Sequence, residues 1–212
     1  MSDTLHDADR SRRPQSGTVR GLPPDPVLTV RQHLGLFRAA HEFDVRDGSG
    51  AIVLSCREPN LGFVTRLLRF GRYKRYTPFD CVVRDADGRL VLRISRGVSL
   101  FLSRVRVTDG MDRLLCTFEQ QFLSLGPRFA ICGPAGLPAG ELSGSLLAFD
   151  FDVTWQGRHV AKVTKQWRSL GVELFTEADA YAVAFDRDLA PDAPGRAIAL
   201  AAALVVDFVL KS

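Results

Sequence analysis

The C-terminal segment 194–211 constrains the fold more than any other part of the chain. Its sequence, PGRAIALAAALVVDFVLK, contains ten consecutive residues without a polar side chain, 197–206, followed by a single acid, Asp207. Leu200, Leu204 and Phe208 repeat at helical spacing, and other apolar residues cover the opposite side. The predicted helix therefore has no polar stripe to face water, and a helix of this kind is buried in a protein core or in a membrane.

The length and composition of this helix favour the protein core. About 14 helical residues at ~1.5 Å each reach ~21 Å, which is shorter than the ~30 Å hydrocarbon layer of a bilayer. The many alanines suit a close-fitting protein sleeve, and Asp207 would be costly deep in lipid. We therefore predict a structural core helix that includes Leu200, Leu204, Asp207 and Phe208, with Asp192 as a cap for its first turn.

The chain before this helix has the period-two alternation of β-strands. In the run from Phe149 to Trp155, apolar and polar side chains alternate strictly. Four segments have the pattern strand, Asp/Gly-rich turn, strand, which is typical of hairpins: 43–54, 81–94, 105–118 and 152–163. The glycine-rich run GPAGLPAG at 133–140 is predicted to be a flexible loop. Roughly ten to twelve strands and one helix predict an all-β antiparallel barrel closed around that helix, because closure removes the sheet edges.

The N-terminal residues have little to bury. Residues 1–26 contain four Asp, four Arg and four Pro, so we predict a disordered tail over 1–26 and a single domain over 27–212. The tail has no apolar run of the kind found in signal peptides, which predicts a cytoplasmic protein.

The cysteines are scattered without a CxxC motif. They are predicted to be buried free thiols in a reducing compartment, the alternatives being disulfides or a metal site. The four residues are Cys56, Cys81, Cys116 and Cys132.

The run VAKVTKQWRSLGVELFTEADAYAVAFDRDLAP at 160–191, followed by a helix ending VVDF, resembles the phospholipid scramblase family. The hairpins from Phe43 onward also resemble the rest of that domain and plant LURP-one-related proteins, so we expect the similarity to cover residues 27–212. This resemblance implies a tubby-like fold, a 12-stranded barrel threaded by its C-terminal helix, and a non-enzymatic protein that moves or binds phospholipid. The matching residues are Lys162, Lys165, Trp167, Phe175, Thr176, Ala178, Asp179, Tyr181, Phe185, Asp188, Leu189, Asp207 and Phe208.

The same resemblance implies one candidate metal site. In eukaryotic scramblases an acidic segment ahead of the helix is proposed to bind Ca²⁺, and it corresponds to residues 177–188 here. Glu177, Asp179 and Asp188 would supply oxygen ligands, but Tyr181 and Ala182 stand where a ligand and a turn glycine would be wanted. The alternative is an acidic turn that leads into a strand. No other cofactor is expected.

A basic segment is the candidate binding surface. Five cations lie within ten residues, interleaved with aromatic and aliphatic side chains, and no acid occurs between Glu58 and Asp80. Such a segment can bind an anionic phospholipid surface or a nucleic-acid backbone, or it can be a solvated connection whose arginine stems cover the barrel. The five cations are Arg66, Arg69, Arg72, Lys74 and Arg75.

No catalytic motif is present in the sequence. His41-Glu42 lacks the second histidine of a zinc protease helix, and no GxSxG motif occurs. We therefore predict a non-enzymatic scramblase-family protein that binds anionic phospholipid at the inner face of the plasma membrane. The rival interpretation is a soluble protein-interaction scaffold with no lipid role, and nucleic acid is the least favoured partner.

Overall fold

The computed structural model describes residues 18–33, 42–59, 77–98, 102–121, 126–165 and 180–210. All neighbouring strands are antiparallel; each is paired with the strands next to it in sequence, and β1 pairs with β12 to close the barrel. This confirms the predicted closed 12-stranded barrel with one C-terminal helix. The strands are β1 Val27–Gln32, β2 Glu42–Arg46, β3 Ile52–Arg57, β4 Phe79–Asp85, β5 Leu90–Arg96, β6 Arg104–Asp109, β7 Leu114–Gln120, β8 Arg128–Cys132, β9 Pro138–Ser145, β10 Asp150–Trp155, β11 Arg158–Thr164 and β12 Ala180–Phe185.

The helix fills the barrel. Helix α1, Pro194–Val205, continues into a π-helical turn, Val206–Leu210. Every residue from 195 to 208 is buried, including the four that the sequence placed in the core helix. Phe208 packs between Phe43 and Phe79, with ring centroids 5.4 Å and 4.9 Å away. Among the residues that the structure describes, no helix is long and apolar enough to cross a bilayer.

The helix begins differently from the prediction. Ala193 occupies the position before the first turn and makes no side-chain capping bond, so the predicted Asp192 cap is wrong. The backbone carbonyl of Asp192 instead accepts a hydrogen bond from the Val19 amide at 3.2 Å. Pro194 supplies the fixed φ of the first helical position and leaves one fewer amide to satisfy.

The connections divide between the two ends of the barrel because consecutive strands run in opposite directions. The turn rim is the end with the connections β2–β3, β4–β5, β6–β7, β8–β9 and β10–β11 and with the start of α1. The loop rim is the opposite end, where the other six strand connections and the end of the π-helical turn lie.

One four-residue turn recurs at the turn rim. In each copy the amide of the first residue donates to the carbonyl four residues later, and the fourth residue has a positive φ. Aspartate at the first position accepts further amide bonds, as Asp47 and Asp109 do, which explains why Asp/Gly-rich turns predicted the hairpins. The copies begin at Asp47, Asp85, Asp109 and Gly133.

The fourth copy corrects the predicted flexible loop at 133–140. Gly133–Leu137 is the β8–β9 turn, and Pro138 begins strand β9. A side chain at Gly144 in this strand would collide with the carbonyl oxygen of Asp150 in β10. The glycines that permit this close approach also hide the strand pattern, since glycine and proline have low strand propensity.

Residues 18–26 pack against the turn rim. Val19 is buried in the core, and the Arg196 guanidinium donates to the carbonyls of Pro23 and Asp25 at 2.7 Å and 2.6 Å. Arg196 also stacks on Phe185, 3.8 Å from the ring centroid. The described part of the predicted tail thus contacts the barrel, while disorder in residues 1–17 stays a prediction.

Candidate functional site

The basic segment itself lies outside the described residues, as do all five of its cations, Arg66, Arg69, Arg72, Lys74 and Arg75. Its two ends are described. Strand β3 ends at Arg57 and strand β4 begins at Phe79, both at the loop rim. The barrel therefore delivers the densest positive charge of the sequence from one rim.

A buried carboxylate fixes the strand that leads into the basic segment. Asp44 accepts from Arg57 at 2.6 Å and contacts Nε2 of His33 at 2.6 Å. Arg57 also donates to the carbonyls of Phe43 and Cys56 at 2.5 Å and 2.9 Å. Burial alone would raise the pKa of Asp44, but hydrogen bonds from Arg57 and His33 outweigh burial and hold that pKa below its ordinary value.

A buried arginine fixes the other end. Arg96 faces inward at the loop rim, only 5% exposed, and stacks on Phe79 at 4.9 Å. Its guanidinium donates to the Thr77 carbonyl at 2.8 Å and to the Ser103 hydroxyl at 3.0 Å. Arg96 therefore holds the return of the basic segment and both ends of the β5–β6 connection in place.

Exposed apolar side chains occur at both rims, and at the loop rim they lie on two separate connections. Val98 and Leu102 flank the middle of the β5–β6 connection at 73% and 45% exposure, and Leu147 at the β9–β10 connection is completely exposed beside Leu146. The sequences of these connections, GVSLFLS and GSLLAF, contain no charge. Sequence reasoning missed these residues; the available signal was that uncharged apolar connections alternate along the chain with Asp/Gly-rich turns.

Of the three candidate calcium ligands, the structure describes Asp188. Glu177 and Asp179 lie outside the described residues. Asp188 follows β12 at the turn rim, where its amide donates to Asp186 at 3.0 Å. The strand Ala180–Phe185 occupies the middle of the proposed segment 177–188. Over the described ranges no cluster of three or more metal-binding side chains occurs.

The cysteines are buried free thiols, as predicted from their surroundings. Burial raises the pKa of Cys116 and of Cys132, which keeps both in the unreactive thiol form. His159 lies at the outer wall, 3.3 Å from Asp152, whereas His6 and His41 lie outside the described residues.

The turn rim contains a cavity of about 430 Å³ beside the start of α1. Its lining is largely apolar, with Leu115, Leu137 and Trp155, and its polar edge is the Asp109–Arg113 ion pair at 2.7 Å. Nothing in the sequence pattern pointed to this cavity.

Comparisons with known proteins agree with the barrel and its threaded helix. The family described as Scramblase matches residues 30–211. The chain belongs to the Scramblase family. This confirms the resemblance found in the sequence, and the matched residues include nearly the whole barrel.

One curated relative and one solved structure are similar to this Scramblase-family chain. Altered inheritance rate of mitochondria protein 25 from Saccharomyces cerevisiae is 25% identical over 175 residues, covering 71% of this chain and 53% of the yeast protein. The chain therefore spans about half the length of this curated relative. A protein of Arabidopsis thaliana solved by X-ray crystallography has a TM-score of 0.52 at 16% identity, covering 91% of this chain and 98% of that chain. The plant protein shares the fold.

Proposed function

We propose that this Scramblase-family protein is a non-enzymatic peripheral membrane protein that binds anionic phospholipid through its loop rim. The observation that carries the proposal is the topology: the segment with five cations in ten residues leaves and re-enters the barrel at one rim. Its flanks are fixed by the Asp44–Arg57 pair and by Arg96. Fixed flanks reduce the entropy that a binding segment loses when it engages a surface.

The electrostatic contribution is large enough for reversible binding. A cation near an anionic bilayer surface contributes about 1 kcal/mol, so five contribute about 5 kcal/mol before ordering costs, which is about three to four powers of ten in affinity. Such binding weakens with salt, since exposed charges are screened. Anionic lipid is concentrated in the cytoplasmic leaflet, and we place the protein at the inner face of the plasma membrane on this ground.

A barrel interior filled by its own helix favours lipid binding over passage of lipid through the interior. The inward-facing strand residues pack against α1, whose side chains are buried. A phospholipid head group would therefore have to travel over the outer surface. We propose lipid binding as the molecular activity, with any transfer of lipid between leaflets dependent on further components.

Vesicle co-sedimentation tests the proposal. The full chain is mixed with neutral vesicles and with vesicles containing phosphatidylserine, from about 0.05 to about 0.5 M NaCl. We expect binding to anionic vesicles only, lost at high salt and lost in the double variant Arg69→Glu/Arg72→Glu. The matched control is Arg106→Glu/Arg187→Glu, two exposed arginines on the outer wall and the turn rim.

The control variant separates the effect of where the charges lie from the effect of the net charge. Each replacement changes the charge by two, so both double variants take the formal net charge from +4 to zero. Equal loss of binding in both variants would show a nonspecific charge effect and contradict the site. Indifference of the parent chain to anionic vesicles at low salt would contradict the function and favour the alternative, a soluble interaction scaffold.

A further inference from the structure

The turn rim contains a β-bulge in each of its five hairpins. In the strand that follows each turn, the pairing register skips one residue. A bulge of this kind places two residues opposite one and bends the strand. All five skipped residues belong to the hydrophobic core or pack against it, and together they form the bulge ring. The bulge ring consists of Val53, Val91, Leu115, Ala139 and Val160.

The cover over the bulge ring differs around the rim. A side chain at Gly21 would stand 3.0 Å from Val91, so the N-terminal segment lies directly over this side of the ring. A side chain at Gly195 would stand 3.2 Å from Val160, so the start of α1 covers the other side. The cavity of about 430 Å³ lies beside Ala139, the smallest member of the ring. It therefore occupies the sector of the rim where the ring has an alanine in place of a branched side chain.

Hydrogen bonds fix the walls of this cavity. The Gln156 amide donates to the Ala139 carbonyl at 2.6 Å, and the Gly133 amide donates to the Leu137 carbonyl at 2.9 Å. The Trp155 ring, only 7% exposed, contributes to the apolar wall. Preformed apolar concavities of ~300–1,000 Å³ with a few polar groups are the usual form of small-molecule sites. The cavity has the size and the lining of such a site.

Arg113 gives the cavity one oriented cation. The buried Asp109 accepts from the amides of Met111 and Arg113 at 2.9 Å each and from Nε of Arg113 at 2.8 Å. Burial alone would raise the pKa of Asp109, but these hydrogen bonds outweigh burial and lower that pKa. The acid is thus satisfied by its own hairpin. The Arg113 side chain is 52% exposed, and within the described ranges its Nη1 has no hydrogen-bond partner.

Size and charge indicate the class of ligand. A methylene group is about as large as a water molecule, ~30 Å³, so the cavity holds at most about fourteen such groups. The available donors of a guanidinium match a carboxylate better than any neutral acceptor, because a charge-assisted hydrogen bond is stronger. The N-terminal sequence 1–17 is a poor candidate for filling the cavity, since Met1 and Leu5 are its only large apolar side chains.

We infer that this cavity binds a medium-chain fatty acid, whose hydrocarbon chain packs on Leu115, Ala139 and Trp155 and whose carboxylate is bound by Arg113. The cavity is a second ligand site, at the opposite end of the barrel from the phospholipid binding proposed for the loop rim. The two sites share no residue, so either proposal can fail without the other.

Isothermal titration calorimetry of the full chain tests the chain-binding wall. Octanoate should bind in a one-to-one ratio. Ala139→Leu places a branched side chain in the cavity and should abolish octanoate binding without lowering the melting temperature. Ala86→Leu, the same replacement in the exposed β4–β5 turn, should leave the affinity unchanged.

A comparison with octanol tests the carboxylate. Octanol has the same chain without the charge and should bind the parent at least about tenfold more weakly than octanoate, because it loses a charge-assisted hydrogen bond. Arg113→Gln should remove this preference and retain octanol binding. The matched control is Arg89→Gln, since Arg89 stands four residues after Asp85 as Arg113 does after Asp109. Circular dichroism at increasing temperature checks that every variant is folded.

Three results would overturn the inference: no octanoate binding by the parent, equal affinities of the parent for octanoate and octanol, or undiminished octanoate binding by a folded Ala139→Leu variant. Self-association of the parent that Ala139→Leu abolishes would assign the cavity to a second copy of the chain and would also overturn it. Co-sedimentation of Ala139→Leu with phosphatidylserine vesicles should equal that of the parent, because the phospholipid binding proposed for the loop rim does not use the cavity.

Discussion

If the helix fills a close-packed barrel, shrinking one of its side chains and enlarging another should both destabilise the protein. Ala199 and Leu204 are both completely buried in α1, within a sleeve of strands. Leu204→Ala leaves a cavity and should cost about 2–5 kcal/mol. Ala199→Leu inserts three carbons into filled space and should cost about 1–3 kcal/mol. In a lipid environment the alanine-to-leucine change would instead be favourable, since leucine prefers hydrocarbon.

These losses are large relative to the total stability of a domain. Net stabilities of about 5–15 kcal/mol are usual, and in a domain of this size each kcal/mol lowers the melting temperature by about 2–4 °C. Both variants should therefore melt measurably below the parent. Ala86→Leu, in the exposed turn between β4 and β5, is the control and should change stability by at most about 0.5 kcal/mol.

Equilibrium unfolding in urea provides the measurement. Far-UV circular dichroism follows the sheet, and tryptophan fluorescence, to which the 7% exposed Trp155 contributes together with Trp167, follows the loss of packing. The difference in midpoint at constant slope gives the change in free energy of unfolding. If Ala199→Leu proved neutral or stabilising while Leu204→Ala was also tolerated, the helix would not be filling a close-packed barrel, and the explanation of the alanine-rich sequence would be refuted.

Two further predictions concern titration and metal. The pKa of Asp44 is lowered in the folded state, so its contribution to stability is present above about pH 4, the unfolded value, and is lost as the pH falls through the folded value. Asp44→Asn should therefore lower the free energy of unfolding at pH 7, by only about 1 kcal/mol because Arg57 and His33 are partly exposed and screened. The difference in melting temperature from the parent should shrink below about pH 4. A constant difference down to about pH 2 would contradict the assignment. For the calcium prediction, the strand between Asp179 and Asp188 leads us to expect no change in melting temperature with millimolar CaCl₂; a rise that Asp179→Asn abolishes would show a site after all.

The barrel and its buried helix were predictable because the hairpin patterns in the sequence and the need to close the sheet indicate the same fold. Aspartate at the first turn position accepts amide bonds within its own hairpin, so three hairpins could be predicted from residues a few positions apart. The fourth, 152–163, turns at Gln156-Gly157, where both residues have a positive φ. The fifth was not, because Gly144 replaces a side chain where β9 approaches β10. The helix start also misled, since a packed N-terminal segment and Pro194 substitute for a side-chain cap.

The candidate site was less predictable because its parts come from distant strands. Asp44, Arg57 and His33 belong to or adjoin three different strands, and only the antiparallel registers of β1, β2 and β3 bring them together. Arg96 looks in the sequence like one of many surface arginines, yet its strand position points it inward onto Phe79. The sequence pattern identified the basic segment. It could not show that Val98, Leu102 and Leu147 lie at the rim where strand β3 ends and strand β4 begins.

Arg196 and Arg96 occupy equivalent positions at the two ends of the barrel. Arg196 at the turn rim stacks on Phe185 and holds the N-terminal segment, while Arg96 at the loop rim stacks on Phe79, which packs on Phe208 near the end of the helix. Each binds backbone or hydroxyl oxygens of residues that enter or leave the barrel. The helix packs against the sheet from inside, and the two arginines hold described residues next to the rims. At the loop rim Arg96 binds Thr77 and Ser103, the described residues beside two of the connections, so a stable core is compatible with the binding function that we propose for this rim.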